Sequence, residues 1–411
     1  MNRVRKDADL IMQAALRAAM PDTAVAKALT GRNFGSGRVL LVAVGKAAWQ
    51  MAKTACDILG EQLSQGVVIT KYDHSHGALP KTEVFEAGHP VPDENSFAAT
   101  QRAIELVQGL SPENTVILLI SGGGSALFEQ PLIPKDVLES ITNQLLRCGA
   151  GIIEMNTVRK RLSAVKGGRF AQLCSPAKVF SIVLSDIIGD PLDMIASGPA
   201  YPDSSTCTQA LEVVKKYRLE LPDQALALLY QETPKVLDNV ETAVTGSVRQ
   251  LCRAAEECCL ELGYQPVVLT ASLCCTARDA GSFLATIAQY HSDTDHSLAF
   301  IAGGETVVQL TGKGMGGRNQ ELALAAAPGI AGLRDTLVFS LGSDGTDGPT
   351  DAAGGCCDGE TAQQLAAQGI DIFTVLANND SYHALERCGG LLKTGATGTN
   401  VNDLSVLLLR R

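Results

Sequence analysis

Short runs of apolar, mostly β-branched residues alternate with helix-like segments along the chain, and this alternation constrains the fold more than any other feature. The runs that predict strands are Val39–Val44, Gly66–Thr70, Thr115–Ile120, Val179–Leu184, Pro266–Thr270, Leu298–Ala302, Leu337–Leu341, Phe373–Leu376 and Ser405–Leu409. In the segments between them, apolar residues return every three or four positions, as in amphipathic helices. Continuous apolar strands are typical of parallel sheets covered on both faces, so the sequence predicts an α/β fold.

The chain has 411 residues, which is enough for two domains at about 150 residues each. Residues 199–242 contain four prolines and no clear strand. We therefore expect an N-terminal domain over residues 1–240, with a doubly wound and largely parallel sheet, and a C-terminal α/β domain over residues 241–411. Residues 7–29 resemble an amphipathic helix, and the sequence leaves open which domain it packs on.

Charge and apolar run length exclude several classes of partner. The formal net charge is −10, which argues against nucleic acid and anionic membranes as main partners. No apolar run approaches the roughly 20 residues that a membrane span needs. The 12 cysteines contain no C-x-x-C pair, a pattern that favours reduced thiols over a zinc site. We expect a cytoplasmic protein.

Two loops after predicted strands have the composition of anion-binding turns. Lys46 follows Gly45 at the end of the run Val39–Val44, where open α/β sheets present ligands. The run Thr115–Ile120 leads into a second loop, which consists of Ser121, Gly122, Gly123, Gly124 and Ser125. Glycines at such a position let backbone N–H groups approach an anion, although a tight turn that binds nothing has the same composition.

A basic segment lies between residues 159 and 169 of this acidic chain. Its charged members are Arg159, Lys160, Arg161, Lys166 and Arg169. The segment could complement a polyanionic ligand, or it could be the solvated face of a helix. The sequence does not decide between the two.

Two further loops each contain three carboxylates. The first follows Val179–Leu184 and holds Asp186, Asp190 and Asp193; the second follows Leu337–Leu341 and holds Asp344, Asp347 and Asp351. Loop carboxylates after parallel strands suit Mg²⁺ binding or general-base chemistry, although Asp-Gly and Asp-Pro pairs are also common in plain turns. Combined with the lysine and the glycine loop, they indicate phosphoryl transfer.

A second glycine-rich segment, Gly312-Lys-Gly-Met-Gly-Gly-Arg318, supports an alternative. It matches G-x-G-x-x-G between a strand-like stretch at 306–310 and a helix-like one at 319–327, as a dinucleotide site would. A flexible loop that delivers Arg318 to a ligand explains it equally well. The histidines form no recognisable catalytic set, so the sequence assigns no role to His89.

Several motifs occur together in the order found in one family. They include Gly45-Lys-Ala-Ala48, Glu86-Ala-Gly-His-Pro-Val-Pro-Asp93, Ser121-Gly-Gly-Gly-Ser-Ala126, Gly303-Gly-Glu-Thr306, Gly316-Gly-Arg-Asn-Gln-Glu321, Ser343-Asp-Gly-Thr-Asp-Gly-Pro-Thr-Asp351 and the segment Thr394–Asp403. From about residue 40 onward the chain resembles the glycerate kinases whose C-terminal part is the MOFRL domain. Some of their relatives carry the label hydroxypyruvate reductase.

The resemblance implies two α/β domains, the second with a smaller mixed sheet, and an active site in the cleft between them. It implies transfer of a phosphoryl group from ATP, with Mg²⁺, to D-glycerate, most often giving 2-phosphoglycerate. The family's essential lysine and arginine correspond to Lys46 and Arg318. The 3-phosphoglycerate product and an NAD(P)H-dependent hydroxypyruvate reductase remain alternatives, and a homodimer is one option for the assembly.

From these observations we assign expected roles. Lys46, Arg318 and Asp190, the last as general base, form the expected catalytic set. The residues expected to bind ATP or substrate are Gly45, Ser121, Gly122, Gly123, Gly124, Ser125, Lys166, Gly304 and Glu305. The expected metal ligands are Asp186, Asp193, Asp344, Asp347 and Asp351.

Overall fold

The computed structural model describes residues 3–411, which divide into two compact units. The N-terminal unit contains Val25–Leu184 and Asp190–Thr245. The C-terminal unit contains residues 3–24, Ser185–Gly189 and Gly246–Arg411. The chain therefore passes between the units more often than a single boundary near residue 240 would require.

The N-terminal unit is built on a six-stranded sheet. Its strands are β1 (Val39–Val44), β2 (Leu63–Lys71), β3 (Thr82–Ala87), β4 (Thr115–Ile120), β5 (Lys178–Leu184) and β6 (Val240–Gly246). Their order is β3-β2-β1-β4-β5-β6, and the ladders from β3 to β5 are all parallel. The strand order reverses its direction between β1 and β4, so the predicted doubly wound sheet is confirmed.

The C-terminal unit has a mixed sheet, as expected. Its strands are β7 (Gln265–Leu273), β8 (Leu298–Gly304), β9 (Thr336–Gly342), β10 (Gly354–Asp358), β11 (Leu391–Leu392) and β12 (Asp403–Leu409). Their order is β11-β10-β9-β12-β8-β7. Strand β12 runs antiparallel to both β8 and β9, and Asp403 lies opposite Gly304 and Gly342. One edge of the sheet thus brings together the ends of β8 and β9 and the start of β12.

Helices connect the strands in both units. They are α1 (Arg3–Ala18), α2 (Pro21–Leu29), α3 (Ala48–Leu59), α4 (Glu94–Leu106), α5 (Gly124–Leu127), α6 (Lys135–Arg147), α7 (Ile152–Arg159), α8 (Arg169–Cys174), α9 (Cys207–Tyr217), α10 (Asp223–Leu229), α11 (Val248–Glu261), α12 (Ala277–Tyr290), α13 (Arg318–Ile330), α14 (Thr361–Ala367), α15 (Ile372–Ala377) and α16 (Ser381–Arg387). No helix within residues 3–411 is long and apolar enough to cross a membrane.

The single helix expected over residues 7–29 is in fact two helices: α1 packs on the C-terminal unit, while the last residues of α2 belong to the N-terminal unit. The apolar face of α1 includes Val4 and Ile11, and both are buried. The nearly buried Asp7 carboxylate accepts a hydrogen bond from Tyr264 Oη at 2.7 Å and pairs with Arg410 at 3.2 Å. These contacts tie the first helix to α11 and to the end of β12.

The sequence-based strand assignment was wrong at residues 373–376, which lie in helix α15. Asp371 caps this helix by accepting a hydrogen bond from Thr374 N at 2.9 Å, and Phe373 is exposed. The predicted strand-like stretch at 306–310 is also absent, apart from a single bridge at Val307. Strands β3, β6, β10 and β11 were missed because they are short, polar or half-exposed, and so lack a continuous apolar run.

Candidate active site

The strand register brings the lysine turn and the glycine loop together. Strands β1 and β4 pair in parallel with Val44 opposite Ile120, so the residues that follow them lie side by side. Lys46 N donates a hydrogen bond to Gly122 O at 2.9 Å, and Ala47 N donates one to Ser121 Oγ at 3.1 Å. The strand order reverses at this point, which is where doubly wound sheets bind ligands.

The turn depends on glycine at position 45. Gly45 has a φ of 120°, a value that L side chains rarely adopt. A Cβ atom there would lie 2.3 Å from Ser121 Oγ and 2.5 Å from Ser121 O. The close approach of the two loops therefore excludes any side chain at this position.

Lys46 carries a charge that no carboxylate balances. Its side chain is exposed, and within residues 3–411 it forms neither an ion pair nor a hydrogen bond. Its backbone is held firmly: Lys46 O lies 3.1 Å from His74 Nδ1 and accepts a hydrogen bond from Thr70 Oγ1 at 3.3 Å. A fixed backbone with a free ammonium group is suited to binding an anionic ligand.

The glycine loop packs against a strained segment. Gly123 has a φ of 86°, and a Cβ atom at Gly124 would lie 2.6 Å from the Cβ of Ala196. Ala196 and Ser197 both have positive φ, at 50° and 60°. Such conformations cost about 1–3 kcal/mol each and cluster at functional sites. Ser125 Oγ lies 2.9 Å from Ser197 Oγ, so its hydroxyl already has a protein partner.

The carboxylates after β5 have different environments. Asp190 has a φ of 53°, and its buried Oδ1 atom has no hydrogen-bond partner among residues 3–411. Asp193 instead accepts hydrogen bonds from Lys160 Nζ at 3.3 Å and from Ser204 Oγ at 2.5 Å. Asp186 belongs to the other unit, where its backbone oxygen accepts a hydrogen bond from Asn402.

Three of the five charged side chains in the basic segment form neither a ligand surface nor a solvated helix face. Lys160, Arg161 and Lys166 are fully buried and pair with internal carboxylates. Lys166 pairs with Glu129, and burial lowers the pKa of this lysine to about 8 although Glu129 opposes the shift. The predicted contact between Lys166 and a ligand is therefore corrected to an internal structural role, since its ammonium group has no access to solvent.

In the C-terminal unit, Arg318 is held by two carboxylates. It begins α13, and its Nε and Nη2 atoms donate to Asp403 at 2.6 and 3.0 Å in a bidentate pair. Its Nη1 atom donates to Glu305 at 2.8 Å. Glu305 follows β8, and its second oxygen accepts a hydrogen bond from Asn402 Nδ2 at 3.3 Å. The guanidinium is thus fixed in one orientation before any ligand arrives.

Burial and charge shift the pKa values of Arg318 and Asp403 in opposite directions. Burial disfavours the charge on Arg318, but the hydrogen bonds and charge of Asp403 outweigh it and hold the pKa of Arg318 above its usual value. Burial raises the pKa of Asp403, although Arg318 opposes the shift. Gly304, the last residue of β8, packs directly against Leu273, so it serves the local packing that precedes Glu305.

The three aspartates after β9 differ in their partners. Asp344 Oδ1 accepts from Thr346 N at 2.9 Å and lies near Asp403, since a Cβ atom at Gly342 would be 3.3 Å from Asp344 Oδ1 and 3.5 Å from Asp403 Oδ1. Asp347 caps α13 by accepting from Gln320 N at 2.9 Å. Asp351 is exposed and pairs with Lys393 at 2.8 Å.

A cavity of about 800 Å³ adjoins Arg318. Its lining includes the glycines between 312 and 317 together with Glu305 and Asp347. Strand β8 ends at Gly304, and in the described residues no strand leads directly into this glycine segment, so it lacks the strand–turn–helix context that a dinucleotide-binding fingerprint requires. In the described part of the chain, no group of three or more His, Cys, Asp or Glu side chains is arranged to hold a metal ion.

Sequence reasoning missed three residues at these sites. His89 lies against the glycine loop, and Asn402 and Asp403 hold Glu305 and Arg318. The signal for His89 was its position just after β3, but β3 contains two glutamates and was not recognised as a strand. Asp403 gave no signal of its own, because its role depends on the antiparallel placement of β12.

The two sheets, with charged groups and glycine-rich backbone at their strand ends, are typical of an α/β enzyme that acts on a small anionic substrate. Two family profiles match: "Domain of unknown function (DUF4147)" over residues 7–230 and "MOFRL family" over residues 298–403. A protein from Thermotoga maritima named D-glycerate 2-kinase is 51% identical and aligns over 99% of this chain and 98% of its own length.

Two further comparisons extend this result. A protein from Agrobacterium vitis named putative hydroxypyruvate reductase is 37% identical over 97% of this chain and 93% of its own length. A crystal structure of a glycerate kinase from Thermotoga maritima, 51% identical in sequence, superposes with a TM-score of 0.94 and covers 98% of this chain and 99% of its own. The chain belongs to the glycerate 2-kinase family with a MOFRL domain.

The contact between the lysine turn and the glycine loop can be tested through stability. Gly45→Ala should lower the free energy of unfolding by more than about 3 kcal/mol, because the new methyl group overlaps Ser121 and the backbone is strained. Gly31→Ala is the matched control: its φ is also positive, at 79°, but the new methyl group would meet open space. It should cost only about 1 kcal/mol in urea unfolding. Equal losses for the two variants would contradict the close approach of the loops.

Proposed function

We propose that this protein transfers the γ-phosphoryl group of ATP to the C2 hydroxyl of D-glycerate, producing 2-phosphoglycerate and ADP. The observation that carries this proposal is the unbalanced charge of Lys46 beside the glycine loop, at the strand-order reversal of a sheet shared with glycerate kinases. An anionic substrate supplies the charge that this site lacks. Membership of the glycerate 2-kinase family supports the choice of substrate and product.

The reaction needs positioning and charge stabilisation more than covalent chemistry. The C2 hydroxyl oxygen attacks the γ-phosphorus, the bond from that phosphorus to the oxygen bridging it to ADP breaks, and the hydroxyl proton leaves. Lys46 would stabilise the negative charge of the substrates, including the charge that develops on the transferring phosphoryl group. Asp190 would accept the hydroxyl proton, and its buried, unpartnered Oδ1 supports this role.

Arg318 would bind phosphate oxygens through the N–H groups that Asp403 and Glu305 do not use. The guanidinium carries five donors, and three of them are engaged by the two carboxylates. The remaining donors keep a fixed direction, because the bidentate pair with Asp403 prevents rotation of the group. This arrangement provides the pre-organisation that phosphoryl transfer requires.

The donor set near Arg318 fits Mg²⁺ in part. Asp344 and Asp186 would hold the ion: carboxylate oxygens are the ligands that Mg²⁺ prefers, and the buried Asn402 Oδ1 nearby lacks a partner. Two carboxylates suffice, since Mg²⁺ in kinases takes its other ligands from phosphates and water. Asp193 and Asp351 fit less well because each pairs with a lysine, and Asp347 because both of its carboxylate oxygens cap α13. When bound, Mg²⁺ would neutralise phosphate charge.

The product of the reaction tests the proposal. The purified protein, incubated with ATP, Mg²⁺ and D-glycerate, should give the ³¹P NMR signal of 2-phosphoglycerate together with ADP. A 3-phosphoglycerate signal would refute the assigned position of transfer while keeping the kinase activity. No phosphoglycerate, with NADH oxidation in the presence of hydroxypyruvate, would refute the kinase and favour the reductase alternative.

The bidentate pair between Arg318 and Asp403 yields a second prediction. Asp403→Asn should lower kcat by about 10- to 100-fold, because the neutral amide releases the fixed orientation of Arg318. The free energy of unfolding should change less than kcat does. Asp295→Asn removes an exposed carboxylate of the same unit and should leave kcat within about twofold. The kcat of both variants is measured by steady-state kinetics of ADP release. An unchanged kcat in Asp403→Asn would show that the Arg318–Asp403 pair does not contribute to turnover.

A further inference from the structure

His89 stands on a loop that other residues hold in place. The loop follows β3 and ends at Asp93, which caps α4 by accepting a hydrogen bond from Ser96 N at 2.9 Å. Tyr72 Oη donates to the same carboxylate at 2.6 Å. A Cβ atom at Gly88 would lie 2.7 Å from Val91 O, so the turn is tight. The imidazole is therefore carried by ordered backbone.

The ring lies against the glycine loop beside Lys46. A Cβ atom at Gly123 would be 3.1 Å from His89 Cδ2, 3.2 Å from His89 Nε2 and 3.2 Å from Lys46 Cγ. Neither ring nitrogen of His89 has a hydrogen-bond partner in residues 3–411. His74 differs, because its Nδ1 atom lies 3.1 Å from Lys46 O, and His76 differs too, because its ring meets the Trp49 ring edge-to-face.

The surroundings of the ring are cationic. Burial lowers the pKa of His89, and the charges of Lys46, Lys71 and His74 lower it further. The lowered pKa favours the neutral imidazole, which donates a hydrogen bond from one nitrogen only. What this group of side chains lacks is an anion.

We propose that His89 is a substrate-binding residue, whose imidazole donates a hydrogen bond from Nε2 to the carboxylate of D-glycerate while Lys46 balances its charge. The proposal rests on the proposed function and adds the residue that recognises the acid end of the substrate. Because Gly123 has no Cβ atom, both side chains can pack against the backbone of the glycine loop, and this brings the imidazole and the lysine side chain next to each other. A neutral polyol would gain little from these groups.

Kinetics of variants provide the first test. His89→Ala should raise the KM for D-glycerate about 10- to 100-fold, the cost of a lost hydrogen bond to a charged group, and leave the KM for ATP within about twofold. His89→Gln, which keeps a donor near the same position, should recover a large part of that loss. His296→Gln, at an exposed position, is the matched control and should change neither KM. An unchanged KM for D-glycerate in His89→Ala overturns the proposal.

Binding without turnover provides the second test and separates this proposal from the kinase activity. In ¹H–¹⁵N spectra of the histidine rings, D-glycerate alone should raise the pKa of His89, because an anion replaces solvent beside the ring. Glycerol should not change it. A shift with ADP but none with D-glycerate would overturn the proposal and place nucleotide phosphates at this loop. If the wild-type protein phosphorylates D-glycerate while the pKa of His89 does not respond to it, only this inference fails. If there is no phosphorylation, the proposed function fails, whatever the pKa of His89 does.

Discussion

The parallel pairing of β1 with β4 is the constraint on which the N-terminal site depends. Because Val44 lies opposite Ile120, the two loops that follow must share a narrow space, and only glycine fits at position 45. The same register fixes the Lys46 backbone, and within residues 3–411 its ammonium group pairs with no carboxylate. The ends of β1 and β4 thus place one unpaired positive charge beside the glycine loop.

The C-terminal unit solves a similar problem differently. Arg318 is surrounded by carboxylates, and Asp403 and Glu305 hold it in place where β8, β9 and β12 meet. The two carboxylates therefore more than balance its charge. The unbalanced lysine suits an anion that arrives alone. This difference in charge between the two units underlies the roles proposed for Lys46 and Arg318.

Features carried by continuous apolar strands could be predicted from the sequence. The runs at β1 and β4 gave the α/β class, and they also located Lys46 and the glycine loop at strand ends. Long-range pairing could not be predicted. The basic segment pairs with Asp203 and Glu129, which lie far away in the sequence, and Asp403 meets Arg318 only because β12 is antiparallel to β8. The sequence assigned no role to His89 because β3, an edge strand, carries polar residues on its half-exposed faces and was not recognised as a strand.

The most direct test of the account is the substitution Lys46→Met, which keeps most of the side-chain volume and removes the charge. If the unbalanced ammonium group is the centre of the site, turnover of D-glycerate and ATP should fall by about 10³-fold or more. The free energy of unfolding should stay within about 0.5 kcal/mol of wild type, since Lys46 has no partner in the described residues to lose. Turnover within tenfold of the wild-type rate would contradict the central role given to this residue.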